Sequence, residues 1–319
     1  MQHRNLGRSG LRVSVIGLGC NNFGGRLDLD ASRPVIHKAL DLGVTLFDTA
    51  DIYGNKGGSE TILGQVLGER RKDIVLATKF CLPMDDAGVL KGASRRYIMS
   101  AVEASLSRLQ TDWIDLYQLH SPDPLTPIEE TLGALDDLVR QGKVRYVGCS
   151  NLPAWQVVEA QWTARAGGLN AFVSCQDEYS LIVRDIDAEL ILAAKAHGLG
   201  LLPYFPLACG MLTGKYRRGR PMPEGARITK DASYGERYMT DANWELIERL
   251  DGFAKARGHT LLELAVGWLA AREPVASVIA GATRPEQVAA NVAAARWTLG
   301  AEDLAEVDRL SGRTPKPEE

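Results

Sequence analysis

Short apolar stretches alternate with helical patterns along the whole chain. Stretches such as "IVLATK" and "LGLLPYFP" are apolar without alternation, which is typical of strands covered on both faces. Most intervals between them are about thirty residues long, the length of one strand–helix unit. Eight such units predict an α/β protein with a closed (β/α)8 or TIM barrel, whose strands end near Gly19, Asp48, Lys79, His120, Ser150, Gln176, Tyr204 and Gly281.

The helices between these strands carry their own start and stop signals. In "TPIEETLGALDDLVRQG" we expect Thr126 to be the N-cap, Pro127 the first helical residue and Glu129 the second partner of a capping box. Gly142 suits a left-handed stop after the same helix. Helices of this length between buried strands agree with the barrel.

The organisation of the chain is uniform. No linker, low-complexity tract or shift in composition divides it, so we expect one barrel domain over residues 1–319. The segment "HRNLGRSGLRVS" predicts a small hairpin under the barrel floor. The long interval before Gly281 predicts a large loop at about residues 206–242, inserted into one unit of the repeat.

Composition narrows the function classes. The chain has 319 residues, of which 45% are hydrophobic, and a net charge of −3, as is ordinary for a globular protein. The absence of a basic cluster argues against a nucleic-acid partner. A polar N-terminus and the lack of an apolar run near ~18 residues argue against a secretory signal or a membrane partner. The five cysteines lack metal-ligand spacing, so we expect reduced thiols, a cytoplasmic location and no metal.

The stretch "VSVIGLGCNNFGG" raises one alternative to the barrel. Its closely spaced Gly17 and Gly19 resemble a Rossmann phosphate loop, but that fingerprint needs a further glycine where Asn22 stands and a helix opening there. The residues that follow are turn formers instead. We therefore interpret the stretch as the first barrel strand.

Polar side chains gather where barrel enzymes keep their chemistry, at the carboxyl ends of the strands. Asp48 and Tyr53 follow the second strand, Lys79 ends the third and His120 ends the fourth. A lysine beside a tyrosine would lower the tyrosine pKa, and a carboxylate would hold the lysine in place. The tyrosine could then protonate a carbonyl oxygen that histidine orients. Each residue alone also has a structural explanation, as an ion pair or a packing residue, but the four together favour an active site.

Several motifs together resemble those of the aldo-keto reductase family. They are "LFDTADIYG", "ATKF", "QLHSPD", "VRYVGCSN", "YFPLACGMLTGKY" and "GATRPEQVAAN", in family order over nearly the whole chain. The resemblance is to the branch with bacterial reductases and potassium-channel β subunits. It implies a barrel that reduces aldehydes or ketones with a nicotinamide cofactor, usually NADPH. It also implies a catalytic tetrad in which Tyr53 is the general acid, Lys79 and Asp48 tune it, and His120 orients the carbonyl.

The same resemblance implies where the cofactor binds. Ser150, Asn151 and Gln176 match the positions that hold the nicotinamide carboxamide, and Tyr204 matches the ring that stacks on it. The other implied contacts belong to three segments. They are Gly19, Cys20 and Asn21 after the first strand; Pro206, Leu207, Ala208, Gly210 and Lys215 in a loop over the pyrophosphate; and Gly281, Thr283, Arg284, Gln287 and Asn291 in the last unit.

The last unit can also be interpreted from its residues alone. Thr283 and Glu286, with Pro285 between them, predict a capping box and a helix start. A helix N-terminus attracts phosphate, and Arg284 adds a fixed cation, which suits the 2′-phosphate of NADP. An ordinary capped helix with a solvated arginine is the alternative. Because many family members carry a Lys-Ser pair where Gly281 and Ala282 stand here, NADH also remains a candidate cofactor.

Two other functions share some of these features. An NADPH-binding regulatory module of the channel-subunit kind would keep the cofactor site, and a Schiff-base aldolase would use Lys79 as its nucleophile. For the substrate pocket we expect a mixed lining, drawn from Asn22, Phe23, Phe80 and Cys81. No arginine cluster marks it for an acidic substrate. The physiological carbonyl compound, the direction of the reaction and the oligomeric state have no signature in the sequence.

Overall fold

A computed structural model describes residues 1–312 of the chain. Its strands are short and mostly buried. In chain order they are β1 (His3–Asn5), β2 (Arg12–Ser14), β3 (Ile16–Gly19), β4 (Leu46–Asp48), β5 (Val75–Phe80), β6 (Ile114–Leu119), β7 (Val144–Ser150), β8 (Ser174–Gln176), β9 (Gly200–Leu201) and β10 (Val278–Gly281).

The last eight strands form one parallel sheet that curls into a barrel. They lie in the order β10–β3–β4–β5–β6–β7–β8–β9, so neighbours in sequence are neighbours in space. Hydrogen bonds also connect the two end strands, β9 and β10, with their flanking residues. The backbone N–H of Ala276 donates to the Leu201 carbonyl at 2.9 Å, and that of Ile279 donates to the Pro203 carbonyl at 3.1 Å. These bonds join the two ends of the sheet and confirm the predicted (β/α)8 barrel.

Helices follow the strands around the outside. They are α1 (Leu29–Asp41), α2 (Tyr53–Leu67), α3 (Arg95–Leu109), α4 (Ile128–Arg140), α5 (Ala154–Gly167), α6 (Leu190–His197), α7 (Arg227–Lys230), α8 (Ala232–Tyr238), α9 (Asp241–Ala256), α10 (Leu261–Ala271), α11 (Pro285–Ala294) and α12 (Ala301–Leu310). Short α7 and α8 lie in the long segment after β9. None of these helices, which cover the part of the chain that is described, is long and apolar enough to cross a membrane.

The N-terminal strands close the bottom of the barrel. β1 and β2 pair in antiparallel register, with Arg4 opposite Val13. In the turn between them, Leu6 is fully buried and packs with Val13, Leu46 and Leu202. The hairpin therefore covers the amino ends of the strands and leaves the opposite, carboxyl end open for a site.

The start of α4 differs from the sequence-based expectation. The N-cap is Pro127, and no side chain caps the helix. Thr126 lies one residue before this N-cap, and its hydroxyl donates to Asp123 in the preceding loop at 2.8 Å. The predicted capping box with Glu129 is therefore wrong. The stop is confirmed, since Gly142 has a φ of 75°.

The capping box predicted for the last unit is also wrong. Helix α11 begins at Pro285, as expected, but its N-cap is Arg284 and has no side-chain cap bond. Thr283 does not reach Glu286. Its backbone N–H and its hydroxyl both donate to the side-chain oxygen of Gln287, at 2.7 and 3.2 Å. Gln287, one residue further into the helix than Glu286, reaches back over the first turn and accepts from the Thr283 backbone N–H that the predicted cap would have used.

Candidate active site

Two predicted tetrad members form a buried ion pair inside the barrel. Asp48 ends β4 and Lys79 lies in the neighbouring β5, with both side chains directed inward. The Lys79 ammonium donates to Asp48 Oδ2 at 2.7 Å and to the Thr49 carbonyl at 2.9 Å. Burial opposes the charge of Lys79, but Asp48 and Tyr53 outweigh that effect and raise the pKa of the lysine. Lys79 therefore carries its positive charge at neutral pH.

A second set of bonds fixes the Asp48 carboxylate. Its other oxygen, Oδ1, accepts from the side-chain amides of Gln118 at 3.2 Å and Gln176 at 2.8 Å. The sequence interpretation missed Gln118. This residue stands two positions before His120, so its side chain points to the same side of β6, toward the barrel interior. These amides supply the hydrogen bonds that a buried carboxylate requires. Asp48 is thereby held rigidly against Lys79.

Tyr53 reaches the ion pair from an unusual turn. Its hydroxyl lies 3.4 Å from the Lys79 ammonium. Residues 54–57 have φ values of 69°, 60°, 65° and 114°, so the chain runs left-handed before the regular part of α2 begins. Gly54 is required here, because a Cβ at this position would lie 2.3 Å from the Phe23 carbonyl oxygen. The "YGNKGG" stretch is thus a device that turns Tyr53 toward Lys79.

The acidity of Tyr53 differs from the expectation. Burial raises the pKa of Tyr53, and the Lys79 ammonium offsets only part of this rise. The sequence interpretation considered the lysine without the burial, which is visible only in the fold. Tyr53 therefore holds its proton firmly at neutral pH. A protonated phenol beside an ammonium is suited to give up its proton only when a neighbouring oxygen develops negative charge.

His120 completes the group at the end of β6. Its ring meets that of Tyr53 edge to face, with centroids 5.7 Å apart. Burial, together with the Lys79 charge, lowers the pKa of His120 to about 3. Its Nδ1 atom is buried and has no hydrogen-bond partner within residues 1–312. The imidazole is therefore neutral, and its single N–H can donate to an oxygen without bringing a second positive charge.

A cavity of about 910 Å³ opens above these residues at the carboxyl ends of the strands. Asp48, Tyr53 and His120 line it, while Lys79 lies behind them. The predicted cofactor residues that line the same cavity are Gly19, Cys20, Asn21, Ser150, Asn151, Gln176, Tyr204, Pro206, Leu207, Gly210, Lys215, Gly281, Thr283, Arg284, Gln287 and Asn291. Ala208 does not, because its side chain is fully buried and Cys209 faces the cavity instead.

Hydrogen bonds connect the polar wall of this cavity. The Tyr204 hydroxyl donates to Asn151 Oδ1 at 2.8 Å, and the Asn151 amide donates to the His120 carbonyl at 3.0 Å. Ser150 donates from its hydroxyl to the Gln176 carbonyl at 2.7 Å. The wall is therefore organised before any ligand binds.

Four cationic side chains belong to the wall of the cavity. Arg26, Lys215, Arg227 and Arg284 all line it. Burial lowers the pKa of Lys215, as do Arg26 and Arg284, which shows that these charges lie close together. Within the described ranges none of the four is paired with a carboxylate. Lys215 and Arg284 are among the predicted cofactor residues, whereas Arg26 and Arg227 are not, because residues distant in sequence meet only in the fold. The cluster suits a ligand with several phosphate charges.

The apolar lining also differs from the expectation. Asn22 lines the cavity, but Phe23, Phe80 and Cys81 do not. Phe80 is fully buried and packs on Tyr117, with ring centroids 4.7 Å apart. As the residue after Lys79 it points to the opposite side of the strand, toward the helices. The exposed aromatic wall is formed instead by Phe205 and Tyr234, which come from the long segment after β9.

A second buried carboxyl, that of Asp51, lies outside the cavity. Neither of its oxygens has a hydrogen-bond partner among the described residues. Burial raises the pKa of Asp51 to about 8, and the Glu60 carboxylate adds to the effect. Because the unfolded-state pKa is near ~3.9, Asp51 stabilises the fold at low pH and loses this contribution as pH rises toward about 8.

We therefore expect Asp51→Asn to gain stability over the parent protein as pH rises. The gain should grow by up to about 1.4 kcal/mol for each pH unit between roughly pH 5 and pH 8. Urea unfolding at several pH values in this range measures it. Asp41→Asn, which changes an exposed aspartate at the end of α1, is the control and should show no such trend. A constant difference for Asp51→Asn would show that this carboxyl is ionised throughout.

Within residues 1–312, no group of three His, Cys, Asp or Glu side chains is placed to hold a metal ion. All five cysteines are buried free thiols. The polar groups of the site thus include the four predicted tetrad residues, the hydrogen-bonded polar wall and the four cations. This combination offers a proton donor, a hydrogen-bond donor for a carbonyl oxygen and a cation-lined cavity for a phosphate-bearing ligand.

Comparisons with known proteins agree with this geometry. The aldo/keto reductase family model matches residues 15–311. The chain is 37% identical over 305 residues to the "Probable voltage-gated potassium channel subunit beta" of Arabidopsis thaliana, which covers 92% of this chain and 91% of the relative. It is 36% identical over 330 residues to the "Uncharacterized oxidoreductase YrpG" of Bacillus subtilis, covering 99% of both. It is 34% identical over 321 residues to the "L-glyceraldehyde 3-phosphate reductase" of Escherichia coli O157:H7, covering 97% of this chain and 92% of the relative. The chain belongs to the aldo/keto reductase family.

Proposed function

We propose that this protein reduces aldehydes or ketones to alcohols with NADPH, and that Tyr53 is the general acid. Family membership makes the chain an oxidoreductase, and the Bacillus subtilis relative carries that name. One observation supports NADPH use and the role of Tyr53 most directly. Asp48, Lys79 and Tyr53 are linked by hydrogen bonds of 2.7 and 3.4 Å at the floor of a cation-lined cavity. We place the reaction in the cytoplasm.

The residues around the cavity fit a nicotinamide dinucleotide. Asn151, Ser150 and Gln176 would hold the carboxamide, and the Tyr204 ring would lie against the nicotinamide. Lys215 and Arg284 would meet the phosphates, since both are unpaired cations on the cavity wall. When bound, the cofactor supplies the hydride. A cavity lined both by hydrogen-bonding side chains and by cations suits such a ligand.

The tetrad residues handle the proton. The substrate carbonyl oxygen would lie between Tyr53 and the neutral His120, which donates a hydrogen bond to it. As hydride reaches the carbonyl carbon, the oxygen becomes basic and takes the proton of the Tyr53 hydroxyl. The resulting tyrosinate is stabilised by the Lys79 ammonium at its side. Asp48 keeps Lys79 charged and in place, and the product is the alcohol.

A substrate screen tests the proposal directly. Aromatic and aliphatic aldehydes, L-glyceraldehyde 3-phosphate and simple ketones are mixed with the protein and with NADPH or NADH, and cofactor absorbance is followed. Turnover with NADPH supports the proposal. Tight NADPH binding without turnover on any carbonyl would favour a regulatory module of the channel-subunit kind. Covalent trapping of a substrate on Lys79 by borohydride would favour an aldolase.

Arg284 is expected to determine cofactor choice. It lies at the start of α11 and lines the cavity, where it would meet the 2′-phosphate that only NADPH carries. A hydrogen bond to a charged group contributes about 1.5–3 kcal/mol, so Arg284→Ala should raise the NADPH dissociation constant roughly ten- to hundredfold. The NADH constant should change little. Fluorescence titration with both cofactors measures the two constants.

The control for this variant is Arg96→Ala, which removes an exposed arginine from the start of α3, outside the cavity. It should leave both dissociation constants unchanged. The effect of Arg284→Ala should shrink as salt rises, because screening weakens the contact that is lost. Equal weakening of NADPH and NADH would contradict a 2′-phosphate contact, as would no weakening of either.

A further inference from the structure

Gln118 is a fully buried amide inside the barrel, and it does not line the cavity. It lies in β6, opposite Gly148 of β7. The interior of such a barrel is usually filled by branched apolar side chains, and Leu116, two residues earlier on the same side of β6, is one of them. A buried amide costs stability unless its hydrogen bonds are made. The bonds that Gln118 forms therefore indicate what it does in the barrel.

The Asp48 carboxylate fixes the orientation of two amides. Its Oδ1 atom accepts from Nε2 of Gln118 at 3.2 Å and from Nε2 of Gln176 at 2.8 Å. A carboxylate beside an ammonium only accepts hydrogen bonds, so both amides must turn their NH2 groups toward it. The Oε1 atom of Gln118 then accepts from Nε2 of Gln176, 3.4 Å away. The three side chains thus form a closed ring of hydrogen bonds.

The ring leaves one polar atom of Gln176 for a ligand. The Nε2 atom carries two hydrogens, one directed to Asp48 and one to Gln118. Among residues 1–312 no donor bonds to the Oε1 atom of Gln176, and Gln176 lines the cavity. Its backbone is held as well, because the Ser150 hydroxyl donates to the Gln176 carbonyl at 2.7 Å. Gln176 therefore offers a fixed acceptor, and not a donor, to a ligand in the cavity.

The neighbouring strand leaves the space that Gln118 occupies. Gly148 is not among the residues with a positive φ, so its backbone does not require glycine. A Cβ atom at this position would lie 2.5 Å from Ser174 Oγ and 3.3 Å from Gln118 Cγ. A larger residue here would push against both side chains. The packing of the barrel thus confines Gln118 to the position from which it reaches Asp48 and Gln176.

We propose that Gln118 is a positioning residue, which holds the Gln176 amide so that its Oε1 atom accepts a hydrogen bond from the carboxamide N–H of the nicotinamide. This inference rests on the proposed function, which puts the carboxamide beside Gln176. Gln118 itself lies behind the cavity wall and touches neither cofactor nor substrate. Its bond to Asp48 also ties the carboxamide site to the ion pair with Lys79.

Gln118→Leu tests this role, because leucine has a similar size and no polar atoms. The second N–H of Gln176 then loses its acceptor, and the amide is free to turn. The NADPH dissociation constant should rise by about three- to tenfold, as for the loss of one ordinary hydrogen bond. The acetylpyridine analogue of NADPH has a methyl ketone in place of the carboxamide and donates no N–H there, so its constant should change little. Quenching of protein fluorescence measures both constants.

Gln161→Leu is the matched control. Gln161 is a partly buried amide on α5 that donates to the Phe172 carbonyl at 2.9 Å, away from the cavity. Its loss should leave both dissociation constants unchanged. Gln118→Met is the second variant, since a flexible unbranched side chain fits the same space if leucine does not. It should show the same selective loss of NADPH affinity.

The inference and the proposed function can fail separately. If the parent protein, Gln118→Leu and Gln118→Met all bind NADPH equally well, Gln118 does not position Gln176, and the proposed function stands. If both variants bind NADPH and its analogue more weakly to the same degree, Gln118 only supports the shape of the site, and the inference is overturned. If the parent protein does not bind NADPH, the proposed function is contradicted and the inference falls with it.

Discussion

Tyr53→Phe is expected to lose nearly all carbonyl reduction, by a factor of about 10² to 10⁴, while it binds NADPH normally. The phenylalanine ring occupies the same space against His120, whose ring meets that of Tyr53 edge to face. Only the hydroxyl, 3.4 Å from the Lys79 ammonium, is removed. No other phenol in the described structure bonds to Lys79, so the proton must come from water. Steady-state kinetics with an aromatic aldehyde and a fluorescence titration of NADPH measure the two effects separately.

Tyr234→Phe is the matched control for this variant. Tyr234 also lines the cavity, but its hydroxyl takes no part in the hydrogen bonds around Lys79. It should keep most of the activity of the parent protein. Full activity in Tyr53→Phe would show that Tyr53 is not the proton donor. A matching loss in Tyr234→Phe would instead indicate that any change to the cavity wall disables the enzyme.

The sequence predicts the barrel well because a strand that is buried on both faces is an uninterrupted apolar stretch, which can be recognised locally. The unbroken apolar stretch of β5, for example, ends at Lys79, and the structure has this strand at Val75–Phe80. Helix starts were harder to predict. Both capping boxes failed, and each threonine bonds to another side chain, Asp123 in one and Gln287 in the other. Competition of this kind depends on where loops lie in space.

For the candidate site too, some features can be predicted from local sequence and others depend on the three-dimensional fold. Asp48, Tyr53, Lys79 and His120 could be selected because each follows or ends a strand whose carboxyl end faces the same mouth. Lys215 and Arg284 could be selected through the family resemblance, but Arg26 and Arg227 could not, since they come from segments far apart in sequence and join the same cavity only in the fold. Burial is also a property of the fold. It makes Tyr53 a weaker acid and His120 neutral, whereas the residue types alone suggest only that lysine lowers the pKa of tyrosine.

The raised pKa of Tyr53 gives a physical reason for the catalytic role that we propose for Lys79. A buried phenol far from any cation would hold its proton too firmly to release it to a carbonyl oxygen. Lys79 offsets part of the burial effect, and it contributes most when the proton leaves, because tyrosinate then lies beside an ammonium. An interaction that strengthens during the reaction accelerates it more than one that only binds the substrate. The negative charge of Asp48 by itself raises the pKa of Tyr53, but it also raises the pKa of Lys79 and so keeps the lysine charged.

Lys79→Met is therefore expected to lower the turnover rate by at least about a hundredfold while NADPH binding is retained. Methionine has a similar length but no charge, so the pKa of Tyr53 rises further. The alkaline limb of the rate profile, where Tyr53 loses its proton, should move to higher pH for the same reason. Rates measured across the alkaline range test both expectations. An unchanged rate and an unchanged alkaline limb would contradict the role assigned to Lys79.

A second variant separates this effect from a loss of stability. Lys79→Met leaves Asp48 as a buried carboxylate with two amide donors but no counter-charge, which is expected to cost about 3–5 kcal/mol of stability. Asp48→Asn/Lys79→Met removes both charges and should recover much of that loss in urea unfolding. Its turnover should nevertheless stay as low as that of Lys79→Met, because Tyr53 still lacks the ammonium. If stability and turnover recovered together, the ion pair would be structural, and Tyr53 would donate its proton without help from Lys79.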